Sequence, residues 1–434
     1  MAATRRERTR IAGWLLVFGA IVAAVVSYLR LLAYIGRQRP PFRYVLPQPD
    51  QVFRAGVEYW FWWLGAVCLL IVAYFVFNRR SEIDPARPPI TGSRLAWLLL
   101  LLVLLAGGAF RFHDVAQFPY CLGDDGAWNS LYATDLIHAR RLLVGFTVEE
   151  HSKETFFMYL VALFIHLFGP TIPAVFYCLA GIGLLTILSA YLFGASFFNN
   201  RYMGVLAAAL MAAAPGALVE GRIPYRRILC PLFMFMVLYF ADRAFRRQQT
   251  ADFLGLGISM GGGMMMYHTF RLIPAAAVLT CLVLLAVIPR FILRNAHRLL
   301  LSLISALVMF TPMIYFVIYF WNSYNGRALG EWHNFLAEGK LAVNLRAFAI
   351  HFTPFLLSER MRFYPVVSFP LFYLGFFRAL GNLGRGFYIF LMFCFCGVAS
   401  TYVLCAMAYP PSPHRANPLL SLYVLFVLLG LDLL

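Results

Sequence analysis

Residues 94–126 read RLAWLLLLLVLLAGGAFRFHDVAQFPYCLGDDG. The apolar run 95–112 has the length that crosses a hydrocarbon core as a helix. Beyond it, Pro119 ends the approach to two adjacent acids, Asp124 and Asp125, flanked by Gly123 and Gly126. Runs of similar length recur at 11–33, 57–77, 172–195, 203–220, 228–242, 252–268, 272–293, 299–320, 365–378, 387–409 and 418–434. A β-barrel would show alternating segments of about ten residues instead, so the spans are read as helices. With 434 residues, 62% hydrophobic and 13% charged, and a mean hydropathy of +0.75, the chain is not a soluble globule. It reads as an all-α polytopic membrane protein with about twelve transmembrane helices.

The organisation expected from these runs is two N-terminal transmembrane helices and a cytoplasmic linker over 1–94, and a transmembrane core over 95–320 that includes an extracytoplasmic loop at 113–171. A second extracytoplasmic loop follows at 321–364, and C-terminal helices fill 365–434. The excess of 36 Lys+Arg over 19 Asp+Glu lies in the short connections between apolar runs. That is topogenic charge with lipid-phosphate affinity, not a nucleic-acid surface. Cys68, Cys178, Cys230, Cys281, Cys394, Cys396 and Cys405 fall within apolar spans, without a CxxC pair, and read as small core residues. Gly261–Gly263 lacks the Lys-Ser/Thr of a phosphate loop and reads as a close helix contact.

The run 155–169, TFFMYLVALFIHLFG, is short and decides which loops share a face. If it crosses, Arg243, Arg246, Arg247, Arg290, Arg294 and Arg298 lie on the face of Asp124, against the positive-inside tendency. If it lies at the interface, those arginines join Arg201, Arg378, Arg385 and the basic N-terminal tail on the cytoplasmic side. The second topology is preferred. It gathers Arg222, Arg226, Arg227 and Arg271 on the extracytoplasmic face with the acids, where an anionic ligand accounts for them.

Asp124 and Asp125 stand at a loop-to-helix junction, where a helix N-terminus favours an ionised carboxylate. AWNSLYATDLIHARRLL continues with helical spacing that lets Trp128, Leu131, Leu136 and Leu143 lie on lipid. The pair can be a base with its partner, two metal ligands, or a helix cap beside a solvated acid.

The loop resembles the first extracytoplasmic loop of GT-C superfamily membrane glycosyltransferases, particularly the family 39 group of protein O-mannosyltransferases and lipid A aminoarabinose transferases. RFHDVAQFPYCLGDDGA matches that group's Arg…Pro…Asp-Glu pattern through Arg111, Pro119, Asp124 and Asp125, with Asp125 in place of Glu. HSKETFFMYLVALFIHLFGPTIPAVFYCLAG is similar to its amphipathic stretch. GRIPYRR is similar to its Ser-Arg…Arg segment, with Gly221-Arg222 in place of Ser-Arg, and YHTFRLIP to its Tyr-Thr…Arg…Pro turn. The likeness covers residues 95–300.

The resemblance implies a GT-C fold and transfer of a sugar from a polyprenyl-phosphate donor to an acceptor hydroxyl on the extracytoplasmic face, with inversion. Asp124 and Asp125 are the implied catalytic residues, Asp124 being the base. Arg222, Arg226, Arg271 and Lys153 are expected at the donor phosphate, with Arg227 in reserve. His151, Glu154, Tyr267 and His268 are candidate substrate contacts. No metal is assigned, although a divalent ion with the Asp pair and Glu149, Glu150 or Glu154 is conceivable. The expected partners are the lipid-linked sugar, a protein, glycan or lipid acceptor, and membrane lipids, in a bacterial plasma membrane with the site facing outward. A transporter or lipid flippase, or a non-catalytic scaffold of the same fold, is the rival reading.

Overall fold

The structure is a computed structural model, and it describes residues 2–36, 50–78, 93–115, 122–138, 154–321, 342–345, 368–403 and 418–434. Its elements in order are α1 (Ala2–Gly36), α2 (Asp50–Asn78), α3 (Arg94–Phe112), α4 (Gly123–His138), α5 (Phe156–Phe168), α6 (Ile172–Phe197), α7 (Arg201–Ala213) and α8 (Pro215–Glu220). Then come a 3-10 turn at Arg226–Ile228, α9 (Leu229–Arg247), α10 (Thr250–Met264), a second 3-10 turn at His268–Arg271, and α11 (Leu272–Val287). The rest are α12 (Pro289–Tyr319), α13 (Phe369–Gly381), α14 (Gly386–Val403) and α15 (Leu419–Leu431). Seven described helical stretches are long and apolar enough to cross a membrane, and five more apolar helices are shorter. The fold is all-α, as the hydropathy predicts.

Two boundaries differ from the sequence expectation. The spans read at 272–293 and 299–320 meet at Ile288, because Pro289 opens α12 as its first residue and the basic stretch RNAHR remains helical behind it. The span read at 203–220 is two helices, since Pro215 cannot continue the hydrogen-bond ladder of α7 and starts α8.

α6, α7, α9, α13, α14 and α15 surround the largest apolar core. A second core joins α5 to the first half of α6 and to the ends of α9, α10 and α12, and a third joins α1 and α2 to α10 and α12. Small residues set the closest approach. A Cβ on Gly257 would meet the Ser302 carbonyl oxygen at 2.1 Å and one on Gly261 would meet that of Ala306 at 2.4 Å. The glycine run of α10 therefore packs directly on the α12 backbone.

Two faces follow from the helix ends. Arg111, in the last turn of α3, donates to the carbonyls of Met211 and Ala212 where α7 ends. Arg246, in the last turn of α9, donates to the carbonyl of Phe197 where α6 ends. Because α6 and α7 form a hairpin, α6 begins on the face where α3 finishes. The chain thus leaves α3 and re-enters through α6 on one face, and α5 between them does not cross. At 13 residues, about 20 Å, α5 is also short of the roughly 30 Å hydrocarbon core. Arg10 of α1 lies within electrostatic reach of Arg298, so the N-terminal arginines share the face of Arg246.

Candidate active site

The segment Gly221–Ile228 crosses the face on which α3 and α7 end, and α4 is docked onto it. Gly123 has a left-handed backbone, φ 66°, that turns the chain into α4. Asp124 and Asp125 then occupy the first turn. Gly126 lies so close to Pro224 that an added Cβ would sit 2.3 Å from its Cγ. One turn on, the buried Asn129 donates from Nδ2 to the Pro224 carbonyl at 2.9 Å. The acid pair is therefore held against the arginine-bearing segment by a shape contact and a buried hydrogen bond.

Tyr225 completes that dock. Its hydroxyl donates to the Asp125 carboxylate, and burial first, then the Asp125 charge, raise its pKa above the ordinary tyrosine value. Behind the ring, the Arg227 guanidinium stacks at 4.1 Å and pairs with Glu220 of α8 at 2.7 Å, both side chains being buried. Arg227 thus braces Tyr225.

Arg226 points the other way. Its Nε lies 2.5 Å from Oε2 of Glu154, the residue before the α5 cap, and Nη2 of Arg271 lies 3.6 Å from Oε1 of the same carboxylate. Glu154 is 2% exposed, so two guanidinium groups share one buried carboxylate. The Arg226 guanidinium also sits over the Tyr267 ring at 5.9 Å, and the Tyr267 and His268 rings meet at a 45° tilt with centroids 4.1 Å apart. The 3-10 turn at His268–Arg271 and the one at Arg226–Ile228 are what bring these groups to one place.

Arg222 donates to the carbonyls of His113 and, at 3.5 Å, Phe110, at the open end of α3. Deeper, Arg111 fills the space above Gly183 and donates to Gly107, Met211 and Ala212 carbonyls at 3.1–3.3 Å. Both arginines tie α3 to this face. His151 and Lys153, with Glu149 and Glu150, lie outside the described residues, as does the side chain of Asp124. Among the described residues no three His, Cys, Asp or Glu side chains converge as metal donors.

Residues 152–316 match the family described as dolichyl-phosphate-mannose-protein mannosyltransferase. None of the curated proteins compared with the chain matches it. Among solved structures the chain is similar to the crystal structure of ArnT from Cupriavidus metallidurans bound to undecaprenyl phosphate, with TM-score 0.51 and 16% identity. That likeness covers 79% of this chain and 60% of the ArnT chain, so the present chain spans less than two thirds of the length of that protein. The chain has the GT-C fold.

Within the GT-C core, the matched region begins two residues before Glu154 and ends in the last turns of α12. It takes in Glu154, Arg222, Arg226, Arg227, Tyr267, His268 and Arg271, while Asp124 and Asp125 precede it. The structure gathers Asp125, Glu154, Arg226, Tyr267, His268 and Arg271 on one face. Four further residues were not singled out in the sequence. Asn129, Glu220, Pro224 and Tyr225 fix this face without standing out by type, and only the GRIPYRR spacing pointed toward the last two.

Proposed function

We propose that the protein is a membrane glycosyltransferase that moves a hexosyl or pentosyl group from a polyprenyl-phosphate-linked donor to an acceptor hydroxyl, with inversion at the anomeric carbon. One observation carries the reading: Arg226 and Arg271 converge on a single buried carboxylate at the face that also holds the Asp125–Tyr225 pair. The GT-C fold supports it, since the similar ArnT structure is bound to undecaprenyl phosphate.

In this mechanism Asp124 removes the acceptor hydroxyl proton as the oxygen attacks the anomeric carbon from the side opposite the lipid phosphate. The bond from that carbon to the phosphate oxygen breaks, the sugar passes through an oxocarbenium-like state, and the bonding pair leaves on the phosphate. Arg226 and Arg271, with Arg222 and Lys153, stabilise the growing phosphate charge in a water-poor setting. Glu154 acts as a positioning residue, holding the two guanidinium groups side by side so that they need not reorganise. Asp125, held by the Tyr225 hydroxyl, fixes the start of α4 and hence Asp124. Tyr267, His268 and His151 are the proposed contacts to the sugar. The acceptor is a hydroxyl of a protein, glycan or lipid on the extracytoplasmic side, because the positive-inside tendency assigns the opposite, arginine-rich face to the cytoplasm.

The test is turnover of a panel of radiolabelled polyprenyl-phosphate sugars by the protein in lipid, wild type against Asp124→Asn, with the anomeric configuration of the product determined. Transfer with inversion that disappears in the variant is expected. Retention of configuration, or turnover by no donor in the panel, would refute the reading.

A further inference from the structure

At the face opposite the candidate active site, the last turns of α6, α9 and α15 meet the turn between α13 and α14. A cavity of 540 Å³ opens there, and Arg246, Arg378, Arg385 and Tyr388 line it. Its volume is in the range of small-molecule sites. Arg246 and Arg378 are fixed by the fold. Arg246 pairs with Asp242 and donates to the Phe197 carbonyl; Arg378 pairs with Asp432 at 2.7 Å and donates to the Leu429 carbonyl at 3.0 Å. Arg385 is exposed and, among the described residues, has no carboxylate partner. Tyr388 lies within electrostatic reach of all three guanidinium groups. Three arginines against two aspartates leave one positive charge at the cavity.

A second cavity, of 270 Å³, lies between α11 and α12 and is lined almost wholly by apolar side chains. Val278, Leu282 and Leu303 line it and are exposed on the bundle's outer surface, so it opens toward the hydrocarbon. The two cavities share a wall. Phe245, Leu284 and Phe291 line both, with the Phe245 and Phe291 rings stacked at 5.6 Å. Gly386 lets α14 approach this wall, since a Cβ there would sit 2.7 Å from Phe245.

We propose that this paired cavity is a binding site for an anionic phospholipid, its phosphate among Arg246, Arg378 and Arg385 and an acyl chain in the groove between α11 and α12. The charge surplus matches a single phosphodiester, and the apolar groove on the other side of the shared wall matches a chain. The positive-inside tendency explains arginines at this face. It does not explain why three of them ring a cavity that shares a wall with a hydrocarbon-facing groove. The site is about 30 Å, the length of α9, from Arg226, so it is not the donor site, and its test does not depend on turnover.

The protein is reconstituted in phosphatidylcholine nanodiscs with and without phosphatidylglycerol, released, and examined by native mass spectrometry for retained phosphatidylglycerol. Wild type should retain one molecule. Arg385→Ala should lose about fivefold in retention, the effect of removing one basic side chain near lipid phosphate. Ala277→Trp, which fills the groove without touching the arginines, should lose retention as well. Inorganic phosphate should not compete at concentrations that leave the arginines' ion pairs intact. Wild-type retention in either variant, or full displacement by inorganic phosphate alone, would overturn the proposal, the last outcome assigning the cavity to a free anion.

Discussion

The two ends of α9 put arginines to opposite uses. At the Arg246 end, each of Arg243, Arg246 and Arg378 has its own acid, respectively Asp252, Asp242 and Asp432, and Arg246 and Arg378 also satisfy carbonyls at helix C-termini. That arrangement holds helices together and suits the helix dipoles. At the Arg226 end two guanidinium groups share Glu154, while Asp125 in the first turn of α4 accepts from the Tyr225 hydroxyl. Arg243, Arg246 and Arg378 are each paired with one acid, whereas Arg226 and Arg271 divide a single carboxylate between them.

The largest effect that separates the ends is expected at the proposed base. Asp124→Asn should lower transfer by roughly 10²–10⁴, the usual contribution of general base catalysis, with the thermal midpoint unchanged. Next is the shared carboxylate. Glu154→Ala leaves the buried Arg226 without its carboxylate beside the half-buried Arg271 and should cost about 3–5 kcal/mol. Asp432→Ala, at the other end, removes a partner that is 41% exposed and should cost less than about 1 kcal/mol. Equal losses in thermal unfolding of the two variants would break the comparison.

Gly126→Leu should lift α4 off Pro224 and destabilise by about 1–3 kcal/mol, lowering transfer while donor binding survives. The smallest effect expected at the Arg226 end belongs to Tyr225→Phe. Loss of its bond to Asp125 should cost about 0.5–1.5 kcal/mol. Because the folded-state pKa of Tyr225 is raised, its contribution is whole below the ordinary tyrosine value of about 10 and fades as pH climbs through the higher folded value. Wild-type stability should therefore exceed that of Tyr225→Phe by a constant margin from neutral pH up to about pH 10, and the margin should narrow above it. A margin that vanishes near pH 7 would contradict the contact.

Much of this was legible in the sequence. Span length and basic loops gave the helical bundle and its two faces, because hydrocarbon thickness and charge placement act on local stretches. For the short run at 155–169 charge placement favoured one face without deciding it, and the contacts of α3, α6 and α7 show that α6 begins on the face where α3 finishes. What stayed hidden depends on pairs distant in the chain. Glu154 meets Arg226 and Arg271 only through two 3-10 turns that no periodicity announces. Glu220 was absorbed into an apolar span, yet it is the carboxylate that holds Arg227 beneath Tyr225. Asn129 looked like one polar position on a lipid-facing helix, and its partner is a carbonyl supplied by Pro224.

The most direct test of the contrast is the rate of sugar transfer from a polyprenyl-phosphate donor in Arg271→Ala beside Arg385→Ala, in the same lipid. Arg271→Ala should lose roughly 10²–10³ in rate, the cost of removing one donor from a developing anion, and Arg385→Ala should keep the wild-type rate. A full rate in Arg271→Ala, or an equal collapse in both, would contradict the assignment of the phosphate to the Glu154 end.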